Sequence, residues 1–331
     1  MFQSNPCAVS CFLKVKTVLD EVREQPEGVR FLRRIVERKF TNPLLLIGDE
    51  GVGRRFSVIQ AVKEIYCTGT QAAGCRCFNC MQIDHGIHPD LMIVGPENGE
   101  VKVGPIRELV SASFNGPSVA PLKVFVIDGA DKMNAASANA ILKTLEEPPS
   151  TARFFLLAES AGKVIPTIKS RCGIVRYRPL SEPFIVSVLQ RSDDDCTKAL
   201  IIARMSEGSI GRAVQYMGAG RLAFRDKVFG FLRLALEKNV PGLFSSIDSI
   251  EKELPLALRF LEQIVHDIIM VSTSPIIHTD LAQEFGKMRV QREEEVWHQM
   301  LTSVRELREK IRSRVHLPFQ VKNLFAQTFW V

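Results

Sequence analysis

Two short segments hold side chains whose types and spacing could do chemistry. The first is a run of thiols, Cys67-x7-Cys75-x1-Cys77-x2-Cys80. Four thiolates suffice to close a tetrahedral zinc site and leave no open coordination position, so the zinc expected here is structural, not catalytic. Only Cys77-x2-Cys80 has the usual knuckle spacing. The Cys75-x1-Cys77 step is tighter, which makes His85 and His88 substitute ligands worth testing. A zinc bound here would contribute on the order of 10–16 kcal/mol of apparent binding energy. The alternative is four free cysteines in a loop.

The second segment is Gly48-Asp49-Glu50-Gly51-Val52-Gly53-Arg54-Arg55, set between an apolar run and a helical pattern. That is the context of a phosphate loop, whose pattern is G-x-x-x-x-G-K-[ST]. Gly48 and Gly53 are in place, and Gly51 adds backbone freedom. Such a turn aims main-chain N–H groups at a phosphate. The side chains differ from the pattern, however. Arg54 stands where a lysine should reach the β- and γ-phosphates, a planar fork in place of a compact ammonium. Arg55 stands where a hydroxyl should hold magnesium, and a guanidinium cannot ligate a cation. Asp49 and Glu50 add negative charge. Asp128 could contact magnesium through water, but Gly129 follows it where hydrolysing enzymes of this type often carry a water-polarising glutamate. The residues leave two readings open: nucleotide bound weakly or not at all without turnover, or a glycine-rich turn that never meets nucleotide.

The elements that must position these residues follow from apolar patterning. Buried strands are expected at Pro43–Ile47, Leu91–Val94, Val124–Ile127, Phe154–Ala158 and Ile174–Tyr177. Helices are expected at Arg54–Tyr66, after Gly104-Pro105 with Ile106, Leu109, Val110 and Phe114 on one face, at Ala135–Glu146 capped by Asn134, and near Lys163–Ser170. Continuous apolar strands alternating with helices mean a parallel sheet covered on both faces. After Pro179 the pattern is helical only: Ser181–Gln190, Asp195–Met205 and Ile210–Met217, a linker at Gly218-Ala219-Gly220, then helices broken near Pro241, Pro255, Pro275 and Pro318.

At 331 residues the chain exceeds what one core organises, so at least two packed domains are expected. Its composition, 46% hydrophobic and 24% charged, excludes a mostly disordered chain. A net charge of +6 permits nucleic-acid contact without arguing for it. No apolar run reaches membrane-spanning length, and the first residues lack the pattern of a signal peptide. The expected compartment is the cytoplasm, where thiols stay reduced and a cluster of them points to metal.

Several stretches together resemble the clamp loaders of bacterial DNA polymerase III, relatives of the AAA+ ATPases. They are Val22–Ile35, Leu45–Arg54, the cysteine cluster leading into His88-Pro89-Asp90-Leu91, Lys123–Lys132, Ala138–Pro149, Thr167–Cys172 and Ser206–Arg212. The pair Leu145-Glu146-Glu147-Pro148 and Ser170-Arg171-Cys172 is far more specific than any single motif. The resemblance implies an α/β fold: an AAA+ P-loop domain with a parallel sheet over 1–178 carrying the cysteine insertion at 67–80. A small helical lid domain over 179–219 and a helical collar domain over 220–331 follow. It also implies a place in a hetero-pentamer with motor subunits and a delta-type subunit, which loads the sliding clamp on primer–template DNA during replication.

In that family the Ser-Arg-Cys arginine is a finger, so Arg171 would reach the nucleotide of a neighbouring ATPase subunit. A guanidinium presented in trans stabilises charge developing on the γ-phosphate. The departures carry information too. Motor subunits have Lys and Thr or Ser in the loop, Asp-Glu after the third strand, and a lid arginine soon after Gly-Ser. Here those places hold Arg54, Arg55, Gly129 and Gly211, with Arg212 one step later, and Glu159-Ser160 stands at the sensor position. ATP and Mg²⁺ lose their ligands while the finger is kept, the pattern of a non-hydrolysing stator. The cysteine spacing is one residue short of the family's in each of the first two gaps.

Two other readings remain: an active clamp-loader ATPase using Arg54 with water-held magnesium, or a zinc-dependent nucleic-acid adaptor. The basic cluster Arg305, Arg308, Lys310, Arg312 and Arg314, interleaved with Glu306 and Glu309, is expected to be a salt-bridged helix face and not a DNA site. Trp297 and Trp330 are expected in a core or interface of the collar.

Overall fold

The computed structural model describes residues 18–37, 40–70, 74–190, 196–218, 220–239, 241–243, 246, 250 and 252–311. Cys7, Cys11, Asp195, Ala219, Arg312, Arg314, Pro318 and Trp330 lie outside them. The described chain divides into two units. One runs through Ile185 and includes Gly208–Gly211; the other comprises Val186–Glu207 and the chain from Arg212 onward. Among the described residues no helix is long and apolar enough to cross a membrane.

The first unit is built on a five-stranded parallel sheet with strands β1 (Leu44–Ile47), β2 (Leu91–Val94), β3 (Lys123–Asp128), β4 (Ala152–Ala158) and β5 (Gly173–Arg176). Their order across the sheet is β2-β3-β4-β1-β5. In register, Ile47 pairs with Ala158 on one side and Arg176 on the other. Every residue of β1 and β4 is buried. Alternate side chains of β1 feed different cores, as a strand's period of two requires. Leu44 and Leu46 join Val58, Val62, Tyr66 and Phe155. Leu45 and Ile47 join Ile106, Phe125, Ile141 and Leu156. Burial of each such side chain favours folding by about 1.5–3 kcal/mol.

The helices of this unit are α1 (Pro26–Val36), α2 (Arg54–Tyr66), α3 (Phe78–Asp84), α4 (Val103–Ser113), α5 (Ala135–Glu146) and α6 (Pro166–Lys169). Asn134 caps α5, its side-chain oxygen accepting the N–H of Ser137 at 2.8 Å. α1 and α3 add to the expected helices; the first opens on Pro26, where a missing N–H costs nothing. Strand ends differ from the expected ones by one or two residues. One core expectation is corrected: Phe114 is not on the buried face of α4. The helix stops at Ser113, and Phe114 caps it with 68% of its surface exposed.

The second unit is helical. Its helices include α8 (Cys196–Met205) and α10 (Arg221–Leu236), which follow α7 (Glu182–Leu189) and α9 (Ile210–Met217) in the chain; Leu254–Met270, Ala282–Arg289 and Glu294–Ile311 come after. Trp297, Phe260 and Phe285 are fully buried here. Buried Arg225 is satisfied by Asp280 and Asp226. Pro255 opens the helix Leu254–Met270 at its first turn. The basic residues of the last described helix are paired: Arg305 donates to Glu262 at 2.9 Å, Arg308 donates to the same carboxylate, and Lys310 lies 3.9 Å from Glu306.

Candidate functional site: phosphate loop, cysteine cluster and Arg171

The loop after β1 is held by main chain. The Gly48 N–H donates to the Ala158 carbonyl at 3.2 Å, and a Cβ on Gly48 would sit 2.6 Å from the Tyr177 carbonyl oxygen, so no side chain fits. Gly51 takes φ +78° and packs against Ser209 and Gly211, whose N–H donates to the Gly51 carbonyl at 3.2 Å. Gly53, at φ +97°, turns the chain into α2. The backbone of a phosphate loop is therefore present.

A cavity of about 410 Å³ lies over this turn. Five of the six expected nucleotide-site residues line it: Gly51, Gly53, Arg54, Arg55 and Asp128. Gly48 does not; it seats the start of the loop. Three cations (Arg54, Arg55, Lys132) and three carboxylates (Glu50, Asp128, Glu159) line the cavity, so it offers a polyanion no net positive charge. Two of each are already matched: Arg55 Nη1 lies 3.6 Å from Asp128 Oδ2, and Lys132 Nζ lies 3.4 Å from Glu159 Oε1. The guanidinium of Arg55 is thus the partner of the Asp128 carboxylate. Ser57, a hydroxyl in the first turn of α2, donates to the Gly53 carbonyl at 2.7 Å. Gly129 supplies no carboxylate. Glu159 stands here as its sensor position implied, whereas Lys132 and the approach of Ser209 to Gly51 had no signal in the motifs.

The cysteine cluster lies at the other end of α2. Cys67 caps that helix and Cys77 caps α3, which carries Cys80. The four sulfurs all lie within 4.8 Å of one another, so the short spacing does not prevent convergence. Sulfurs each about 2.3 Å from a tetrahedral zinc are about 3.8 Å apart; Cys67 lies 3.6 Å from Cys75 and 3.9 Å from Cys77. A Cβ on Gly69 would come within 2.8 Å of the Cys75 sulfur, so the chain wraps too closely there for any side chain.

Main-chain N–H groups point at the sulfurs. Those of Cys77 and Thr70, joined by the Cys67 thiol, hold Cys75 below the usual thiol value. At Cys77 burial pushes upward, but donors from Cys80 and Thr68 outweigh it and bring the thiol down to about 6. Burial, then the neighbouring thiols, push Cys80 up. Donor set and spacing fit a metal ion such as zinc.

The substitute-ligand expectation for the two histidines is corrected. His88 is buried against the Tyr66 ring, with centroids 4.7 Å apart, and its Nδ1 accepts the Asp90 N–H at 3.1 Å. Neither it nor exposed His85 joins the cluster, because the sulfurs already suffice. Asp90 is a structural determinant that no metal or phosphate motif marks. Its buried carboxylate accepts three N–H groups, from Ser118, Val119 and Ala120, at 2.7–2.8 Å.

Arg171 does not line the cavity. It follows α6, with 27% of its side chain exposed. Its Nε donates to Glu146 Oε1 at 2.8 Å, its Nη2 donates to the same oxygen, and its Nη1 donates to the Thr167 carbonyl at 2.8 Å. Burial pushes the adjacent Cys172 thiol up to about 12. Within Ser-Arg-Cys, charge chemistry therefore rests with the arginine.

Comparison with known proteins agrees with this layout. A crystal structure of a DNA polymerase III gamma subunit-related protein from Thermotoga maritima MSB8 superimposes with a TM-score of 0.51 at 15% identity, over 91% of this chain and 98% of that one. Sheet, glycine loop and following helices define an AAA+ type fold. The sequence model of the family described as "DNA polymerase III, delta subunit" matches residues 24–181. The DNA polymerase III subunit delta' of Bacillus subtilis strain 168 is 25% identical over 91% of this chain and 94% of its own length. That of Escherichia coli K12 is 30% identical over 68% and 69%. The chain belongs to the delta' family of DNA polymerase III clamp-loader subunits.

Proposed function

We propose that this chain is a non-hydrolysing stator of a clamp loader. It assembles in the cytoplasm with motor ATPase subunits and a delta-type subunit, and helps place the sliding clamp on primed DNA. The observation that carries the reading is the cavity over the phosphate loop. Asp128 is paired with Arg55, and Gly129 brings no carboxylate to the place a water-polarising base takes in hydrolysing members of the fold. In this reading residues 179–219 act as lid and 220–331 as collar. The assembled complex, and not the basic helix near Arg305, provides the grip on DNA. Zinc held by Cys67, Cys75, Cys77 and Cys80 stabilises the insertion and takes no part in chemistry.

Arg171 is the residue with a chemical task. Its side chain is 27% exposed, and a triphosphate on a neighbouring subunit would meet it there. The test is Arg171→Ala in the reconstituted complex. The expected result is intact assembly and a loss of about 10³-fold or more in single-turnover ATP hydrolysis at the interface served. Wild-type turnover at that interface would overturn the finger role. Hydrolysis by the isolated chain, abolished by Arg54→Ala, would overturn the stator role.

A further inference from the structure

We propose that Glu146 is a positioning residue for Arg171; this rests on the finger reading above. A guanidinium has five N–H donors in a rigid plane. Glu146 Oε1 accepts from Nε and from Nη2, which form one side of that plane. The Thr167 carbonyl accepts from Nη1, and Ser170 Oγ lies 3.3 Å from the same nitrogen. With Ser170 Oγ accepting as well, four of the five N–H groups are engaged, and Nη2 keeps one further N–H. That N–H is the donor left for a phosphate oxygen, and the Nη1 contact to Ser170 Oγ, the longest of the four, is the one a second phosphate oxygen would displace.

The location of Glu146 is otherwise hard to account for. It is the last residue of α5, where the helix macrodipole disfavours negative charge, and half of its side chain is exposed (49%). Neither helix stability nor burial calls for a carboxylate there. What it does touch is Arg171, twenty-five residues onward in the sequence. The Leu-Glu-Glu-Pro and Ser-Arg-Cys motifs thus meet in one contact. An arginine on a long flexible stem loses rotamer freedom when it docks; holding it beforehand reduces that loss at the moment the γ-phosphate develops charge.

The experiment uses the full chain reconstituted with its motor subunits, with ATP as the probe. Glu146→Ala is expected to lower kcat about two- to fivefold, the range an exposed ion pair commands, while KM for ATP moves less than twofold. Glu146→Gln keeps an acceptor oxygen and is expected to restore most of the loss. Adding Glu146→Ala to Arg171→Ala is expected to cost nothing further. Unchanged kcat for Glu146→Ala, in a complex that Arg171→Ala does impair, would overturn the positioning role and leave the finger standing. An equal further loss in the Arg171→Ala background would show that Glu146 acts elsewhere. Wild-type kcat for Arg171→Ala would remove the finger itself. Melting temperature and co-elution of each variant separate these outcomes from misfolding.

Discussion

Helix α2 carries one site at each end, about 20 Å apart along its thirteen residues, and the two ends have diverged in opposite senses. At its N-terminus the main chain has kept everything a phosphate needs: left-handed glycines, a free helix start and an open cavity. The side chains there depart from the phosphate-loop pattern, and the charges of two pairs answer one another. At its C-terminus the spacing is irregular and the supporting helix α3 is only seven residues long, yet the full donor set converges. The lesson is that backbone shape and chemical competence are separable. A loop's geometry can be set by the fold alone, as that of Gly48 is under Tyr177, whatever side chains the loop carries.

The comparison is broken most severely at the cysteine end. Cys77→Ser is expected to reduce bound metal from about one atom per chain to near zero and to lower the melting temperature. An apparent binding energy on the order of 10 kcal/mol is at stake. Metal analysis with a thermal melt checks both, and a metal-free wild type of equal stability would dissolve the contrast.

A smaller effect attaches to Asp90, which ties the same end down, since the Tyr66 hydroxyl donates to the Asp90 carbonyl at 2.8 Å. Asp90→Asn is expected to cost about 1–3 kcal/mol in urea unfolding, because an amide aims donors at donors. The pH sign follows from its environment. Burial alone would raise the Asp90 carboxyl, but the three N–H donors outweigh it and hold it below its ordinary 3.8. The unfolded chain therefore takes up this proton first. The stability is present above the ordinary carboxylate value and is lost as pH falls through the folded value. Acid unfolding of wild type and Asp90→Asn should converge there.

The least change is expected at the other end. Arg54→Lys with Arg55→Thr puts the standard residue types back in the loop. Phosphate release by the isolated chain should nonetheless stay at background, because Gly129 still offers no base. It takes φ +96°, a backbone state a glutamate would adopt only under strain. Turnover in that variant would mean that only two side chains separate this chain from an enzyme.

Much of this was legible in the residues. Strands β1 and β4 stand where continuous apolar runs stood, because a strand covered on both faces leaves no polar position to confuse the pattern. Asn134 and Pro148 marked the two ends of α5 through local hydrogen bonding and sterics. What could not be read is what depends on meeting across the chain. The Arg171–Glu146 contact joins two segments by folding alone. Convergence of Cys75 and Cys77 looked awkward because spacing says nothing of how Gly69 lets the chain turn back. Phe114 fitted a helical period, but the helix ended one residue before it.

The hydrogen bond from the Gly211 N–H to the Gly51 carbonyl has a mechanical corollary. It fastens the short return segment Gly208–Gly211 to the inner wall of the turn through protein atoms alone, and Leu180 clasps the same segment by donating to the Gly208 carbonyl at 2.9 Å. Under the stator reading proposed above, a component fastened this way would need no fuel to set its posture. It suits the role of a doorpost, against which other, moving leaves can swing and be stopped.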